Sequence, residues 1–218
     1  MIRVCIVCEG QTEVEFVRSC IAPHLLSHTV LAYPSLLRAP SGRHRGGRVT
    51  VERLVRFLSR EYRHADRLTT LVDLYGFQDR QARSADALQN AILAALKALQ
   101  LPGFRPEFVI PYVQRHEFEA LLFSDVEHFG ELIDGWDERT RQRLQAVQSA
   151  YENPEDINDS PETAPSRRLL DILPPGSYRK TLHGPLIAES IGLPRIRQRC
   201  PRFDQWISML EQWGAIHC

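Results

Sequence analysis

The stretch of sequence that decides the fold runs Ile2-Arg-Val-Cys-Ile-Val-Cys-Glu-Gly-Gln-Thr-Glu-Val-Glu-Phe16. Its first part, Ile2–Cys8, is mostly apolar and β-branched, which predicts a buried strand. Gly10 interrupts the apolar run, and a helical pattern follows it. We therefore expect Glu9 at the carboxyl end of the strand and Glu13 in the first turn of the helix.

This position makes Glu9 and Glu13 candidates for metal chemistry. In open α/β sheets, ligands gather at the carboxyl ends of the strands. Two neighbouring carboxylates repel each other unless a cation lies between them, and sites made only of oxygen atoms suit Mg²⁺ or Mn²⁺. The alternative is that Glu13 only complements the dipole of its helix and that Glu9 faces solvent.

The composition of the 218 residues is that of an ordinary globular protein, with 43% hydrophobic and 25% charged residues. Lys and Arg total 27, as do Asp and Glu, so the net charge does not indicate an anionic partner. The five cysteines are odd in number and scattered, and they predict reduced thiols, not a zinc site, in a cytoplasmic protein. We recognise no signal peptide and no apolar run of about 18 residues, so we expect no membrane partner.

Apolar periodicity along the chain predicts strands that alternate with helices, followed by a helical remainder. This alternation is typical of an α/β fold with a mostly parallel central sheet flanked by helices. We predict an α/β core over residues 1–125 and a helical C-terminal extension over residues 126–218, packed on the core as one compact unit. The predicted strands are Ile2–Cys8, Thr29–Leu37, Leu68–Asp73 and Phe108–Val113, and the predicted helices between them are Val14–Leu26, Val51–His64 and Ser84–Leu101.

Acidic residues follow three of the predicted strands. Asp73 ends the third strand, and Glu117 and Glu119 begin a short helix after the fourth. Because parallel strands end at one edge of a sheet, we expect Glu9, Asp73 and at least one of the later glutamates to face a common point, as a divalent metal site. The alternative is coincidence, since acidic residues are common in loops.

The segment from Arg38 to Arg48, called here the basic segment, is the most loop-like part of the chain. It holds four arginines and three glycines in eleven residues, with no acidic residue. Arginine offers a fixed fork of donors to phosphate, so we predict that Arg43, Arg45 and Arg48 contact a nucleic-acid backbone. The alternative is a solvated loop with incidental charge.

Four blocks of the sequence are specific enough to compare with known families. They are Glu9-Gly-Gln-Thr-Glu13, Thr69-Thr-Leu-Val-Asp-Leu-Tyr-Gly76, His116-Glu-Phe-Glu-Ala-Leu-Leu-Phe-Ser-Asp125 and Asn158-Asp-Ser-Pro-Glu-Thr-Ala-Pro-Ser-Arg-Arg168. The first block, after an apolar strand, is similar to the opening motif of Toprim domains, especially those of the overcoming-lysogenisation-defect nucleases and related phage-defence proteins. Together the blocks resemble a bacterial family known as the domain of unknown function DUF4276, which is placed among Toprim-like proteins.

The resemblance implies a Toprim-like core with a Mg²⁺- or Mn²⁺-dependent site that hydrolyses phosphodiester bonds of DNA or RNA, in phage defence or nucleic-acid processing. Glu9 matches the Toprim glutamate, which acts as an acid, a base or a metal ligand. Asp73 matches the first aspartate of the Asp-x-Asp motif, but Tyr75 stands where the second belongs. Glu117 or Glu119 would then have to restore the missing carboxylate.

Two other functions stay open at this point. One is a non-catalytic Toprim-like module that acts with a partner ATPase and keeps its acids for structure or nucleotide sensing. The other is a module that binds a small phosphorylated ligand. Cleavage of DNA or RNA that depends on the added metal would separate the nuclease from both.

The predicted roles divide the candidate residues into three groups. We expect Glu13 beside the metal ligands or at a second metal, and Glu15 on the solvated face of its helix. We expect residues 158–168 to pack against the site, with Thr163 capping the next helix. The basic stretch Arg195–Arg202 is a second candidate surface for nucleic acid. The predicted catalytic residues are Glu9, Asp73 and Glu117; the predicted metal ligands are Glu9, Glu13, Asp73, Glu117 and Glu119; and the predicted nucleic-acid contacts are Arg43, Arg45, Arg48, Arg167 and Arg168.

Overall fold

The computed structural model describes residues 1–37, 49–157 and 163–215. Contacts between residues divide the chain into two units. Unit 1 contains Met1–Gln114 and the segment from Met209 onward, and unit 2 contains Arg115–Ser208. The predicted boundary, between residues 125 and 126, lies further along the chain than this division.

Within the described residues, unit 1 is built on a sheet of five parallel strands. The strands are β1 (Ile2–Cys8), β2 (Val30–Leu36), β3 (Arg67–Asp73), β4 (Val109–Ile110) and β5 (Val113–Gln114). Their order is β2-β1-β3-β4, and β5 also pairs with β3. The central strands β1 and β3 are buried on both faces, which explains why β1 is a nearly continuous apolar run. The predicted α/β class with a mostly parallel sheet is confirmed.

The predicted fourth strand is divided into β4 and β5 at Pro111. Proline has no N–H to donate to a neighbouring strand, so the regular ladder stops there. Two threonines of β3 bond to the interrupted backbone instead. Thr69 Oγ1 donates to Ile110 O at 2.6 Å, while Thr70 Oγ1 donates to Tyr112 O at 2.7 Å and lies 2.8 Å from Tyr112 N.

The first helical region of unit 1 is continuous from Gln11 to Leu26 and begins earlier than predicted. Its middle, Val17–Ile21, is a π-helical turn in which Ala22 N–H bonds to Val17 O. This wider turn precedes Pro23, which cannot donate a helical hydrogen bond. The helices are α1 (Gln11–Phe16), α2 (Ala22–Leu26), α3 (Val51–Glu61) and α4 (Ala85–Ala98), with 3₁₀ turns at Leu74–Gly76 and Pro106–Phe108.

Side chains at the starts of α3 and α4 fix where these helices begin. Thr50 Oγ1 accepts from Arg53 N–H, and Ser84 Oγ accepts from Ala87 N–H. Both helices then bury an apolar stripe at helical spacing against the sheet. The stripe residues in the core are Leu54, Val55, Leu58, Leu88, Ile92 and Leu96.

Unit 2 is formed by helices and short 3₁₀ turns, as predicted for the C-terminal part of the chain. Within the described ranges, none of the helices of the protein has both the length and the apolar character that a membrane span requires. The 3₁₀ turns are Phe118–Ser124, Val126–Phe129 and Pro154–Asp156. The helices are α5 (Glu138–Ser149), α6 (Pro165–Ile172), α7 (Lys180–Ile191), α8 (Leu193–Arg199) and α9 (Pro201–Ala215). The part of α9 from Met209 onward belongs to unit 1.

Candidate functional site

Glu9 and Asp73 lie side by side at the carboxyl edge of the sheet in unit 1. Their strands are neighbours, with Cys8 of β1 paired to Leu71 of β3. The backbone pairing continues one residue further, since Glu9 N–H donates to Leu71 O at 3.2 Å. The register of two buried strands therefore places both acids at the same end of the sheet.

The Glu9 carboxylate is held by the backbone at the end of β3 and in the turn after it. Its Oε2 accepts a hydrogen bond from Asp73 N–H at 3.1 Å. The same oxygen packs against Gly76, where an added Cβ would lie only 2.2 Å from it. An alanine at residue 76 would therefore displace the Glu9 carboxylate from this position.

The exposure of the two acids differs. Asp73 is 6% exposed, and Glu9 is half-buried. Among the described residues, no group of three acid, histidine or cysteine ligands contains either of them. Mg²⁺ is commonly held by one or two carboxylates, with waters and substrate phosphates as its other ligands. A pair of carboxylates at a sheet edge fits that mode of binding.

Tyr75 is the residue that the resemblance to Toprim domains aligns with the second aspartate of their motif. It lies in the 3₁₀ turn Leu74–Gly76 and is half-buried. The guanidinium of Arg80 lies over its ring, 5.4 Å from the ring centroid. A phenol beside a guanidinium thus stands in place of a third carboxylate at this edge.

Glu13 is buried and turned toward the start of its own helix. Its Oε2 accepts from Gly10 N–H at 2.8 Å, which caps α1. Glu15 lies on the outer face of the same helix, where it contacts Arg18 and Gln11. Glu13 therefore lies close to Glu9 along the chain but has a structural bond of its own, and its role toward a metal stays a prediction.

The basic segment, with Arg43, Arg45 and Arg48, lies outside the described residues. The residues on either side of it are bound to the edge that carries the acids. Leu37 N–H donates to Cys8 O at 2.9 Å, next to Glu9. At the other end, Val49 N–H donates to Gly76 O at 3.1 Å.

Glu117 belongs to unit 2 and contacts the start of a helix there. Its Oε2 accepts from Ser166 N–H, in the first turn of α6, at 2.9 Å. The preceding residue, His116, has a φ of +61°, which is costly for a residue other than glycine. The predicted cap Thr163 is wrong, because α6 begins after Ala164 and its N-cap side chain makes no such bond. The bond to Glu117 satisfies an N–H group of this turn instead.

Glu119 is completely buried in unit 2 and is paired with a lysine. Lys180 Nζ lies 3.0 Å from its Oε2, and Tyr178 Oη lies 3.5 Å from its Oε1. Burial raises the pKa of the Glu119 carboxyl, and the charge of Lys180 acts in the opposite direction. Burial also raises the pKa of Tyr178 well above its usual range.

Arg167 and Arg168 lie in the first turns of α6 and differ in their surroundings. Arg167 is exposed. Arg168 donates to Thr163 O at 2.9 Å and to Tyr151 Oη at 3.2 Å, so its guanidinium is engaged within unit 2. Residues 158–162 of the predicted segment lie outside the described residues.

The second basic stretch, Arg195–Arg202, borders a cavity of about 830 Å³ in unit 2. Arg195 lies 3.5 Å from the Asp125 carboxylate, and Arg199 donates to Glu152 O at 3.3 Å. Both arginines line the cavity, together with acidic and amide side chains. The surface is therefore polar and of mixed charge.

The structure thus brings the predicted residues together in two sets. Glu9 and Asp73 meet in unit 1, and Glu117 and Glu119 are near each other in unit 2, where the charge of Glu117 adds to the raised pKa of Glu119. That the two sets share one metal stays a prediction. Sequence reasoning missed Lys180 as the partner of Glu119, since nothing local connects residues so far apart.

The fold and its acidic edge define an α/β protein with a carboxylate pair at the carboxyl ends of parallel strands. The chain belongs to the family described as domain of unknown function DUF4276, whose sequence model matches residues 8–211. The predicted family membership is confirmed.

Two solved structures are similar to the chain, and both are of the C-terminal region of the Xanthomonas campestris pv. campestris OLD protein. The structure phased with platinum is 16% identical and has a TM-score of 0.43, with 99% of this chain and 95% of that chain covered. The structure phased with iodine is 14% identical and has a TM-score of 0.42, with coverage of 98% and 96%. The search of curated proteins found no match.

Proposed function

We propose that this protein is a Mg²⁺- or Mn²⁺-dependent nuclease that hydrolyses phosphodiester bonds of DNA or RNA. The observation that carries the proposal is the contact between Glu9 and the Asp73 backbone at the carboxyl edge of the sheet. Two acids from neighbouring parallel strands meet there, in the place where such folds bind ligands. The resemblance of the first block to Toprim domains supports the same reaction.

Glu9 and Asp73 would hold the metal, and their different exposure suggests different roles. A bound divalent ion polarises the phosphate and lowers the pKa of an attacking water. Asp73, which is almost completely buried, is suited to be a fixed ligand. Glu9 is half-buried and is oriented by the Asp73 N–H, so it is the carboxylate that a water or a leaving group can reach.

The basic segment supplies the argument for a nucleic-acid substrate. Its arginines would neutralise phosphates that flank the scissile bond. The two residues next to it, Leu37 and Val49, are bonded to Cys8 and Gly76. The described residues that flank the basic segment are thus bonded beside Glu9 and Gly76, and we propose that its arginines contact a substrate bound at these acids.

The proposal is tested by incubating the purified protein with DNA and RNA substrates, with and without Mg²⁺ or Mn²⁺. Glu9→Gln and Asp73→Asn keep the shape of each side chain and remove its charge. We expect each to lower the cleavage rate by about 10²–10⁴-fold, the range that a positioned acid or base contributes. Glu15→Gln is the matched control, because Glu15 contacts Gln11 and Arg18 instead of the edge.

Three results would contradict a nuclease. The first is the absence of metal-dependent cleavage from wild-type protein that still binds the ion in calorimetry. The second is full activity of both site variants. The third is an equal loss in Glu15→Gln. Metal and nucleic-acid binding without cleavage would favour the non-catalytic module acting with a partner ATPase.

A further inference from the structure

A second group of ligand-type side chains lies in unit 1 and is not used by the proposed nuclease. It consists of His24, His28 and Glu211, whose ligand atoms all lie within 4.8 Å of one another. His24 Nε2 is 2.6 Å from Glu211 Oε1, and His28 Nε2 is 3.7 Å from the same oxygen. The two imidazole rings are 5.0 Å apart between centroids and tilted by 44°. Two imidazole nitrogens therefore converge on one carboxylate oxygen.

The backbone around this group is fixed by close packing. His24 lies in α2, His28 follows the end of that helix, and Glu211 lies in α9. A Cβ added to Gly214 would lie 1.8 Å from His28 O, so the backbone of α9 is in contact with the residue that carries the second imidazole. Thr29 Oγ1, 3.4 Å from Gly214 O, lies at the same junction. The segments that carry His28 and Glu211 are therefore packed directly against each other.

We propose that His24, His28 and Glu211 bind one Zn²⁺ ion. Two imidazoles and a carboxylate form a three-ligand set that zinc accepts, with a water in the fourth position of the tetrahedron. Zinc–ligand bonds of about 2.0–2.1 Å separate neighbouring ligand atoms by about 3.3 Å in a tetrahedron. The separations of 2.6 and 3.7 Å lie on either side of that value. The exposure of His28 leaves room for the water.

The chemistry of this site differs from that of Glu9 and Asp73. Imidazole nitrogen suits zinc and its neighbours in the transition series, whereas carboxylate pairs suit Mg²⁺ and Mn²⁺. A zinc ion here would join residues that are 187 positions apart in sequence, at the end of α2 and in α9. It would stabilise unit 1 by binding the folded chain and not the unfolded one. The zinc site is independent of the nuclease activity.

The experiment uses the full chain after dialysis against a chelator, titrated with zinc sulfate in a calorimeter. The decisive variant is His28→Ala, because His28 is exposed and its loss leaves the bond between His24 and Glu211 in place. Glu211→Gln is the second variant, since glutamine keeps an oxygen acceptor. His64→Ala is the control, an exposed histidine elsewhere in unit 1. A double variant, H217A/C218A, tests two ligand-type residues that lie outside the described residues.

We expect wild-type protein to bind one equivalent of Zn²⁺ and to melt at a higher temperature with it. Losing an outer partner of a metal ligand commonly weakens binding by about 10–100-fold, so losing a ligand should cost at least about 100-fold. His28→Ala and Glu211→Gln should show that loss, and the control and double variants should not. Co²⁺ in place of zinc should give the visible absorption of a tetrahedral site only when all three ligands are present. Zinc affinity equal in wild type and His28→Ala, or lost only in the double variant, would overturn the proposal.

Discussion

The acids of unit 1 and the acids of unit 2 have the same kind of side chain but different surroundings. Glu9 is half-buried at the end of a regular strand and accepts a hydrogen bond from the backbone of the next strand. Glu119 is completely buried in a 3₁₀ turn, with Lys180 within 3.0 Å. Glu117 is bonded to the first turn of α6. Glu9 is thus bonded to the backbone at the edge of the sheet, whereas Glu119 is paired with a lysine and Glu117 with the start of a helix inside unit 2.

This difference shows that the position of an acid after a strand does not by itself indicate a metal ligand. The charged groups around its carboxylate must be known as well. A buried carboxylate with its own ammonium group has its charge largely compensated, so a divalent ion would have to compete with that group. We therefore expect Glu119 to be a weak metal ligand. The predicted catalytic role of Glu117 stays a prediction.

The largest effect is expected from Gly76→Ala, which would displace the Glu9 carboxylate without removing it. The new Cβ would lie 2.2 Å from Glu9 Oε2, and a catalytic group misplaced by about 1 Å can cost about 100-fold in rate. We expect cleavage to fall by at least that factor in a protein that still melts cooperatively. Gly130→Ala is the control, because its Cβ would meet Trp136 in unit 2 instead. Unchanged cleavage in Gly76→Ala would show that the close approach of Glu9 to residue 76 is dispensable.

The second prediction concerns the basic segment. Replacing Arg43, Arg45 and Arg48 by alanine should weaken nucleic-acid binding and flatten its log–log salt dependence by about one unit for each phosphate that the protein no longer neutralises. The measurement is a binding titration at several salt concentrations. The matched control removes three arginines that form exposed ion pairs, at Arg3, Arg56 and Arg105. An unchanged slope would exclude the basic segment and leave Arg195–Arg202 as the surface to test.

The third prediction tests the built-in counter-charge of unit 2. Lys180→Met leaves the buried Glu119 without its ammonium group, so we expect the free energy of unfolding at pH 7 to fall by about 1–3 kcal/mol. Lys97→Met, on the exposed end of α4, should change it much less. Denaturant titrations at pH 7 compare the two variants. Equal stability would mean that Lys180 does not stabilise the buried charge.

The pH dependence of Glu119 follows from the direction of its pKa shift. The pKa of Glu119 is raised above its ordinary 4.5 in the folded protein by burial, so above pH 4.5 the folded state holds this proton more tightly than the unfolded state. The contribution of Glu119 to the free energy of unfolding is therefore fully present below pH 4.5. It is lost as the pH rises through the pKa that Glu119 has in the folded protein. Glu119→Gln should remove that loss, and the difference between the two proteins, measured across pH, isolates it. Parallel curves would contradict the shift.

The smallest effect is expected from Glu13→Gln. Glutamine keeps an oxygen for Gly10 N–H, so the cap of α1 should survive, but a negative charge close to Glu9 disappears. We expect Mg²⁺ affinity in calorimetry to fall by about threefold because the electrostatic attraction is weaker. Glu15→Gln should leave the affinity unchanged. Equal effects of the two variants would place Glu13 no closer to the ion than Glu15.

Much of unit 1 could be predicted from the sequence because its signals are local. The apolar run of β1 indicates a central strand, and Pro111 marks the position at which the last strand is interrupted. Gly76 is a turn signal after Asp73, but only the structure shows that its backbone lies against the Glu9 carboxylate. The predicted cap of α6, Thr163, is wrong, because the N-cap is Ala164 and the side chain that bonds the first turn is Glu117, 49 residues before Ser166.

The sequence by itself determined the parallel sheet and the acids at its edge, because strand burial and strand ends depend on residues that are adjacent along the chain. Only the tertiary structure decided which acids have a counter-charge and which side chains from distant segments meet. Lys180 beside Glu119, and Glu211 beside His24, are pairings between residues far apart in the chain. Charge compensation and ligand geometry depend on distances of a few ångströms between side-chain atoms. The packing of elements that are far apart in the sequence sets those distances.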